Sequence, residues 1–119
     1  MTTFKVEPVP GHEDEVLEAF AKLPLSCANG FSSMMDILEG NDPSLNDRCG
    51  FLADRYELYT IPLPDCARRV LVLSIDQKAA ARPRWLHGTL PASAAACEQG
   101  RQIATRHFGL IDPAWEKRP

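Results

Sequence analysis

Two stretches decide the fold of this chain: RYELYTI at residues 55–61 and RRVLVLSI at residues 68–75. The first alternates polar residues with aromatic and β-branched ones, and the second is a nearly continuous apolar run. Such patterns are typical of strands, and a continuous apolar run favours a central strand that is covered on both faces. Residues 62–67 hold two prolines and predict the turn between the strands. We therefore predict a β-hairpin at the centre of a sheet.

The residues before this hairpin predict one strand and two helices. Residues 4–9 alternate between apolar and polar side chains and stop at Pro10-Gly11, as a short strand and its turn would. Apolar residues then recur at helical spacing over residues 16–23, behind an acidic first turn. The same spacing returns over residues 31–38, and Gly40 follows as a natural helix end.

The remaining segments complete an α+β prediction. Residues 46–54 predict a surface loop, a further short strand is expected near Trp85–Leu86, and residues 91–107 predict a C-terminal helix. The predicted fold is a small antiparallel sheet, made of the N-terminal strand and the central hairpin, packed on one face by two N-terminal helices and a C-terminal helix. Residues 1–111 are expected to form a single domain, with residues 112–119 as a C-terminal tail.

The two halves of the chain carry opposite charge. Residues 1–54 hold 3 Lys or Arg against 10 Asp or Glu, a net charge of −7. Residues 55–119 hold 10 against 6, a net charge of +4. The total of −3 gives no general attraction to nucleic acid or to an anionic membrane. Binding to a charged partner must therefore come from a local patch.

The first residues and the cysteines predict a compartment. The chain begins without the apolar core of a signal peptide, and no apolar run approaches the roughly 20 residues that cross a bilayer. We therefore expect a cytoplasmic protein that does not enter a membrane. An even number of cysteines allows disulfides, but a cytoplasmic location predicts reduced thiols that act as small core or loop residues. The four cysteines are Cys27, Cys49, Cys66 and Cys97.

The strongest candidate site is the cationic segment after the second strand, with Lys78, Arg82 and Arg84 beside Trp85 and His87. Arg binds phosphate bidentately, Lys supplies a mobile charge and Trp can stack on a base. A nuclease without a metal needs such groups to hold the phosphate and stabilise its added charge, and a histidine can move protons near neutral pH. The alternative is a solvated basic loop with Trp85 as a core residue.

Arg69 and Tyr56 are further candidates, for catalysis and for binding of nucleic acid or a partner. Arg69 opens the second strand, where an ion pair with Asp65 across the turn would equally explain it. Tyr56 and Tyr59 fall on opposite faces of their strand, so only one of them can share a surface with a given site. The run at residues 12–15 (HEDE) offers metal ligands, but adjacent helical residues point in different directions. The sequence therefore predicts neither a metal site nor a cofactor.

The order of a strand, two helices and a hairpin resembles the RelE/ParE superfamily of bacterial toxins. The resemblance covers residues 4–78 and includes LEGNDP at residues 38–43 and GFL at residues 50–52, before the paired strands. It implies a toxin-type protein that acts on translation by cutting mRNA, or on gyrase, with a cognate protein partner such as an antitoxin. It also implies that Arg69, Lys78 and Arg82 are the counterparts of the basic residues of that family.

Two other classes stay open. The opening strand, the turn at Pro10-Gly11 and the acidic helix resemble the dimeric α+β-barrel proteins of the antibiotic-biosynthesis monooxygenase group. That resemblance implies a dimer that binds a small apolar molecule. The third class is a non-enzymatic acidic protein that binds and blocks another protein, as immunity or anti-defence factors do, through residues 7–18 and 36–54. Competition by RNA would separate a local basic patch that binds RNA from an acidic face that binds protein.

Overall fold

Six strands form one mixed sheet in the computed structural model, which describes residues 3–66 and 68–118. Their bounds are β1 Val6–Pro8, β2 Arg48–Leu52, β3 Tyr56–Pro62, β4 Arg69–Asp76, β5 Arg84–Pro91 and β6 Trp115–Lys117. The order across the sheet is β1-β5-β4-β3-β2-β6, so β1 and β6 form its two edges. β1 runs parallel to β5, and the other neighbouring pairs are antiparallel.

Helices cover both faces of this sheet. They are α1 Glu13–Ala21, α2 Leu25–Gly40 and α3 Ala96–His107, with a 3-10 turn at Leu45–Asp47. Leu38 of α2 packs in one core cluster with Tyr59, whereas Ala104 of α3 packs in another with Leu58. Leu58 and Tyr59 are neighbours on β3, so their side chains point to opposite faces. Within the described ranges no helix is long and apolar enough to cross a bilayer.

The predicted α+β class and the central hairpin are confirmed. β3 and β4 pair in register from Tyr56 opposite Asp76 to Pro62 opposite Val70. Residues 70–76 of β4 are all buried, as the continuous apolar run predicts for a central strand. Of the predicted turn at residues 62–67, Ala67 lies outside the described residues. The hairpin is therefore the frame on which the other elements are arranged.

The sheet is larger than predicted, and it is not purely antiparallel. Residues 48–52 form β2 instead of a surface loop, because they pair with β3 through a turn in which Ala53 and Asp54 have φ values of 56° and 53°. β5 extends the predicted short strand to eight residues, so α3 begins at Ala96 instead of Pro91. The segment that the sequence predicts as a tail contains β6, which pairs with β2. The helices lie on two faces instead of one, since α3 packs opposite α2.

All four cysteines are in disulfides, Cys27–Cys66 and Cys49–Cys97. The first joins α2 to the loop between β3 and β4, and the second joins β2 to α3. The prediction of reduced thiols is therefore wrong, because the fold brings together cysteines that are 39 and 48 residues apart. Gly30 lies one turn after Cys27, where a Cβ would be 1.7 Å from the carbonyl oxygen of Pro64. The close approach of α2 to this loop therefore requires a glycine.

Candidate functional site

Arg84, at the start of β5, lies inside the fold and is fully buried. Its Nη1 donates hydrogen bonds to the carbonyl oxygens of Leu38 and Asn41 at 2.5 and 2.7 Å, and its Nη2 donates to Asp42 Oδ1 at 2.5 Å. The guanidinium carbon is 3.7 Å from the centre of the Phe4 ring. Burial lowers the pKa of Arg84. The side chain fastens the end of α2 to the sheet, where it cannot meet a phosphate in solvent.

The rest of the predicted cationic segment is partly neutralised. Arg82 Nη2 is 3.8 Å from the Asp42 carboxylate and 3.9 Å from that of Glu57. Trp85 is half-buried and packs against the larger core cluster. Lys78 is exposed in the turn after β4. The segment therefore presents less positive charge to solvent than its sequence indicates.

Asp76 holds the turn that carries Lys78. Its carboxylate accepts hydrogen bonds from Arg55 Nε and Nη2 at 2.9 and 2.8 Å. Oδ1 also accepts from the backbone N–H groups of Lys78 and Ala79, at 3.1 and 3.3 Å. The Arg55 guanidinium, helped by these backbone groups, holds the pKa of the Asp76 carboxyl below its usual value of 3.8. This carboxylate therefore fixes the end of β4 and the start of the cationic segment.

Asp76→Asn is expected to lower the free energy of unfolding near neutral pH by about 1–3 kcal/mol, since hydrogen bonds to a charged group are lost. The folded-state pKa of Asp76 lies below the unfolded one, so its stabilisation is complete above about pH 4 and is lost as the pH falls through the folded-state pKa. Urea unfolding of parent and variant at several pH values measures this difference. A difference that stays constant into strong acid would contradict the assigned role.

Arg69 lies far from Lys78, whereas Tyr56 pairs with Asp76 of β4 near the Lys78 turn but points its ring to the face of the sheet that α3 covers. Arg69 is at the opposite end of β4 from Asp76, and its Nη2 donates to Thr89 Oγ1 at 2.7 Å. The Tyr56 ring stacks on Phe108 with ring centres 3.9 Å apart, against the cluster that α3 covers. The structure therefore does not bring Arg69 and Tyr56 together with Lys78 and Arg82 into one site.

The three histidines do come together with Glu15, where the start of α1 meets the end of α3. His87 Nε2 is 2.7 Å from Ser74 Oγ, and His87 Nδ1 is 2.9 Å from His107 Nδ1. His107 Nε2 is 3.2 Å from Glu15 Oε2, and that oxygen is 3.4 Å from His12 Nδ1. A continuous line of polar groups, here called the histidine chain, therefore leads from the interior of the sheet to the surface.

The inner part of the histidine chain is uncharged, and its outer end is anionic. Burial lowers the pKa of His87 to about 3, so this imidazole is neutral at physiological pH. Burial also lowers the pKa of His107. Hydrogen bonds from Arg106 lower the pKa of Glu15 to about 2, so its side chain is a carboxylate. Neutral imidazoles and a carboxylate are ligand types that suit zinc and related ions.

Sequence reasoning predicted His87 as a site residue but missed this cluster. His12 and Glu15 are three residues apart at the start of α1, a spacing that places two side chains on one side of a helix. That spacing is the signal that the sequence offered. His107 lies 92 residues from Glu15, and no local pattern connects them.

The exposed side chains of α1 and α2 form a second candidate, here called the acidic hairpin surface. Residues 13–40 hold six Asp or Glu against one Lys, a net charge of −5. Leu17, Leu25 and Ile37 of the same two helices are 55%, 83% and 47% exposed. Its members are Glu13, Asp14, Leu17, Leu25, Asp36, Ile37 and Glu39. Exposed apolar side chains and carboxylates on the same pair of helices suit a partner surface that combines apolar and basic side chains.

A surface pocket of about 410 Å³ lies over the Cys49–Cys97 disulfide. Five of its eleven lining residues are charged: Asp47, Arg48, Glu98, Lys117 and Arg118. Pockets for small apolar molecules are lined mostly by apolar and aromatic side chains. This pocket therefore does not provide the ligand site that the dimeric α+β-barrel resemblance implies.

No protein-family model, curated protein or solved structure matches this chain. The function is therefore inferred from the side chains and their geometry.

Proposed function

We propose that this chain is a non-catalytic protein-binding domain whose acidic hairpin surface docks on a basic patch of a protein partner. One contrast between the two charged surfaces carries this proposal. Carboxylates of the hairpin, such as Asp14 and Asp36, are exposed, whereas Arg84 is buried and Arg82 lies near two carboxylates of its own chain. Complementary charge steers association and selects the partner, and the exposed leucines add apolar contact area.

The two disulfides favour an oxidising compartment for this function. The cytosol keeps protein thiols reduced, and structural disulfides are typical of secreted, periplasmic and other extracytoplasmic proteins. Cys27–Cys66 and Cys49–Cys97 each connect a helix to a strand or loop that is distant in the sequence. We therefore infer a partner outside the reducing cytosol, in place of the predicted cytoplasmic location.

A RelE/ParE-like toxin is the second candidate, and the order of the elements favours it. A strand, a helical hairpin and a run of paired strands follow one another here in the order that the resemblance implies. A fold by itself does not fix an activity. In this candidate Lys78 and Arg82 are the active cations, and the target is mRNA or gyrase.

Neutralising the acidic hairpin surface is expected to weaken partner binding at least tenfold, because rim and core charges that face a complementary patch contribute strongly to encounter and selection. The variant Asp14→Asn/Asp36→Asn/Glu39→Gln removes three exposed carboxylates and changes no buried residue. The partner is first identified as a protein that forms a stoichiometric complex with the parent and dissociates from it at high salt. The affinities of the parent and the variant for this purified partner are then compared. Disulfides are kept intact throughout.

Lys78→Ala/Arg82→Ala is the matched control, because it alters the cationic segment and spares the buried Arg84. It should bind the partner as tightly as the parent does. Competition by RNA would contradict the protein-binding proposal. The toxin candidate would instead be supported if the parent cleaves RNA, or arrests growth on cytoplasmic expression. The control variant should then lose this activity, and the hairpin variant should retain it.

A further inference from the structure

We propose that His12, Glu15 and His107 form a site for one divalent transition-metal ion of the zinc class. The atoms His12 Nδ1, Glu15 Oε2 and His107 Nε2 all lie within 4.8 Å of one another. The carboxylate oxygen is 3.4 and 3.2 Å from the two nitrogens. Ligands with bonds of about 2.0 Å in tetrahedral geometry are about 3.3 Å apart, so the two shorter separations already fit. The His12 and His107 rings are stacked with centres 4.5 Å apart. Metal binding therefore requires the partly exposed His12 ring to turn out of this stack, so that the lone pair of its Nδ1 faces the ion.

The ligand set favours zinc over the common alkaline-earth ions. Two imidazole nitrogens and one carboxylate oxygen are a known zinc set that leaves a fourth position for water. Mg²⁺ and Ca²⁺ prefer sites made of oxygen ligands. The side chains of His12 and Glu15 are 32% and 47% exposed, which gives an ion access from solvent, whereas the His107 side chain is fully buried. Thiolates do not compete, since all four cysteines are in disulfides.

His87 supports the site by orienting His107. Coordination through Nε2 requires the proton of neutral His107 to be on Nδ1, where it can donate to His87 Nδ1 at 2.9 Å. His87 then carries its own proton on Nε2 and donates it to Ser74 Oγ at 2.7 Å. Each imidazole keeps one proton in this arrangement. Outer hydrogen bonds of this kind fix the tautomer and ring orientation of a ligating histidine.

Arg106 opposes metal binding. Its Nη1 is 3.2 Å from Glu15 Oε2, and its Nη2 is 2.6 Å from Oε1. An ion held by Oε2 would leave Oε1 to accept the second hydrogen bond, as ligating carboxylates commonly do. The guanidinium charge nevertheless repels a cation at this distance. Removal of Arg106 should therefore strengthen the site, whereas removal of a ligand should weaken it.

Calorimetric titration of the full, untagged chain with Zn²⁺ tests this proposal, with disulfides intact and Mg²⁺ as the comparison ion. We expect one Zn²⁺ per chain at micromolar affinity or better and no binding of Mg²⁺. His12→Ala and Glu15→Gln should each weaken Zn²⁺ binding at least tenfold. Arg106→Gln should bind several-fold more tightly. Glu18→Gln is the matched control, because Glu18 is an exposed carboxylate of α1 outside the cluster that pairs with Lys22, and the affinity of this variant should equal that of the parent.

Co²⁺ provides a second readout, since a tetrahedral site gives strong visible absorption that His12→Ala should abolish. Circular dichroism establishes that each variant is folded before titration. Failure of the folded parent to bind Zn²⁺ saturably would overturn the proposal. Equal binding by the parent, His12→Ala and Glu15→Gln would also overturn it, because the ion would then be held elsewhere.

Discussion

Arg84→Met is expected to lower the free energy of unfolding by about 2–5 kcal/mol, since each buried acceptor left without a donor costs about 1–3 kcal/mol. The substitution removes the donors to the carbonyl oxygens of Leu38 and Asn41 and to the Asp42 carboxylate. Methionine fills part of the space but provides no hydrogen bond. The end of α2 then loses its connection to β5, and a domain with a total stability of about 5–15 kcal/mol is left near its limit.

Urea unfolding of the parent, Arg84→Met and Arg82→Met measures this effect. Arg82 is the matched control because it lies two residues earlier, its side chain is 35% exposed, and its carboxylate contacts are 3.8 and 3.9 Å long. Exposed ion pairs contribute about 0–1 kcal/mol, so this control should differ little from the parent. Equal losses of unfolding free energy in the two variants would show that the burial of Arg84 does not account for its contribution to stability. Loss of activity in an Arg84 variant would therefore report unfolding instead of catalysis.

Removal of both disulfides is expected to have the largest effect of all. The chain-entropy account of a cross-link gives about 4 kcal/mol for loops of this length, and measured values are typically about 2–4 kcal/mol. The bridged cysteines are 39 and 48 residues apart. Replacing all four cysteines by alanine should therefore lower stability by about 4–8 kcal/mol, comparable to the whole stability of many domains of this size. We expect the resulting chain to be largely unfolded at physiological temperature.

Thermal unfolding of the parent with and without a reductant, beside the four-alanine variant, measures this loss. The reduced parent should melt at nearly the same temperature as the variant. The two-residue variants Cys27→Ala/Cys66→Ala and Cys49→Ala/Cys97→Ala should each melt at a temperature between those of the oxidised parent and the four-alanine variant. A parent whose melting temperature is insensitive to complete reduction would contradict a stabilising role for either bond.

Local pattern was enough to predict the central hairpin but not the strand beside it. β3 and β4 have aromatic, β-branched and apolar residues in unbroken runs, so their signal depends on no distant contact. β2 is RCGFL, and the turn after it has Ala53 and Asp54 in the left-handed region instead of the Asn or Gly that usually marks such turns. Its strand character comes from pairing with β3 and β6, which sequence pattern does not show.

The candidate site was less predictable than the fold, because its members meet only in three dimensions. A cluster of arginines in a sequence indicates exposed charge, since arginine is almost never fully buried without partners. The partners of Arg84 are about 40 residues away, at the end of α2. The histidines likewise come from the start of α1, from β5 and from the end of α3. The pairing of the cysteines was likewise not predictable from local sequence, because four cysteines allow three connectivities.

The two edges of the sheet are poorly suited to recruiting another strand. β1 and β6 have three residues each. Pro8 has no N–H to offer at the end of β1, and exposed Glu116 and Lys117 place charges on β6. Short, charged and proline-containing edges prevent sheets from adding to one another. A peptide would therefore gain little by β-augmentation here, and the same edges protect the protein from aggregation when it is concentrated or newly made.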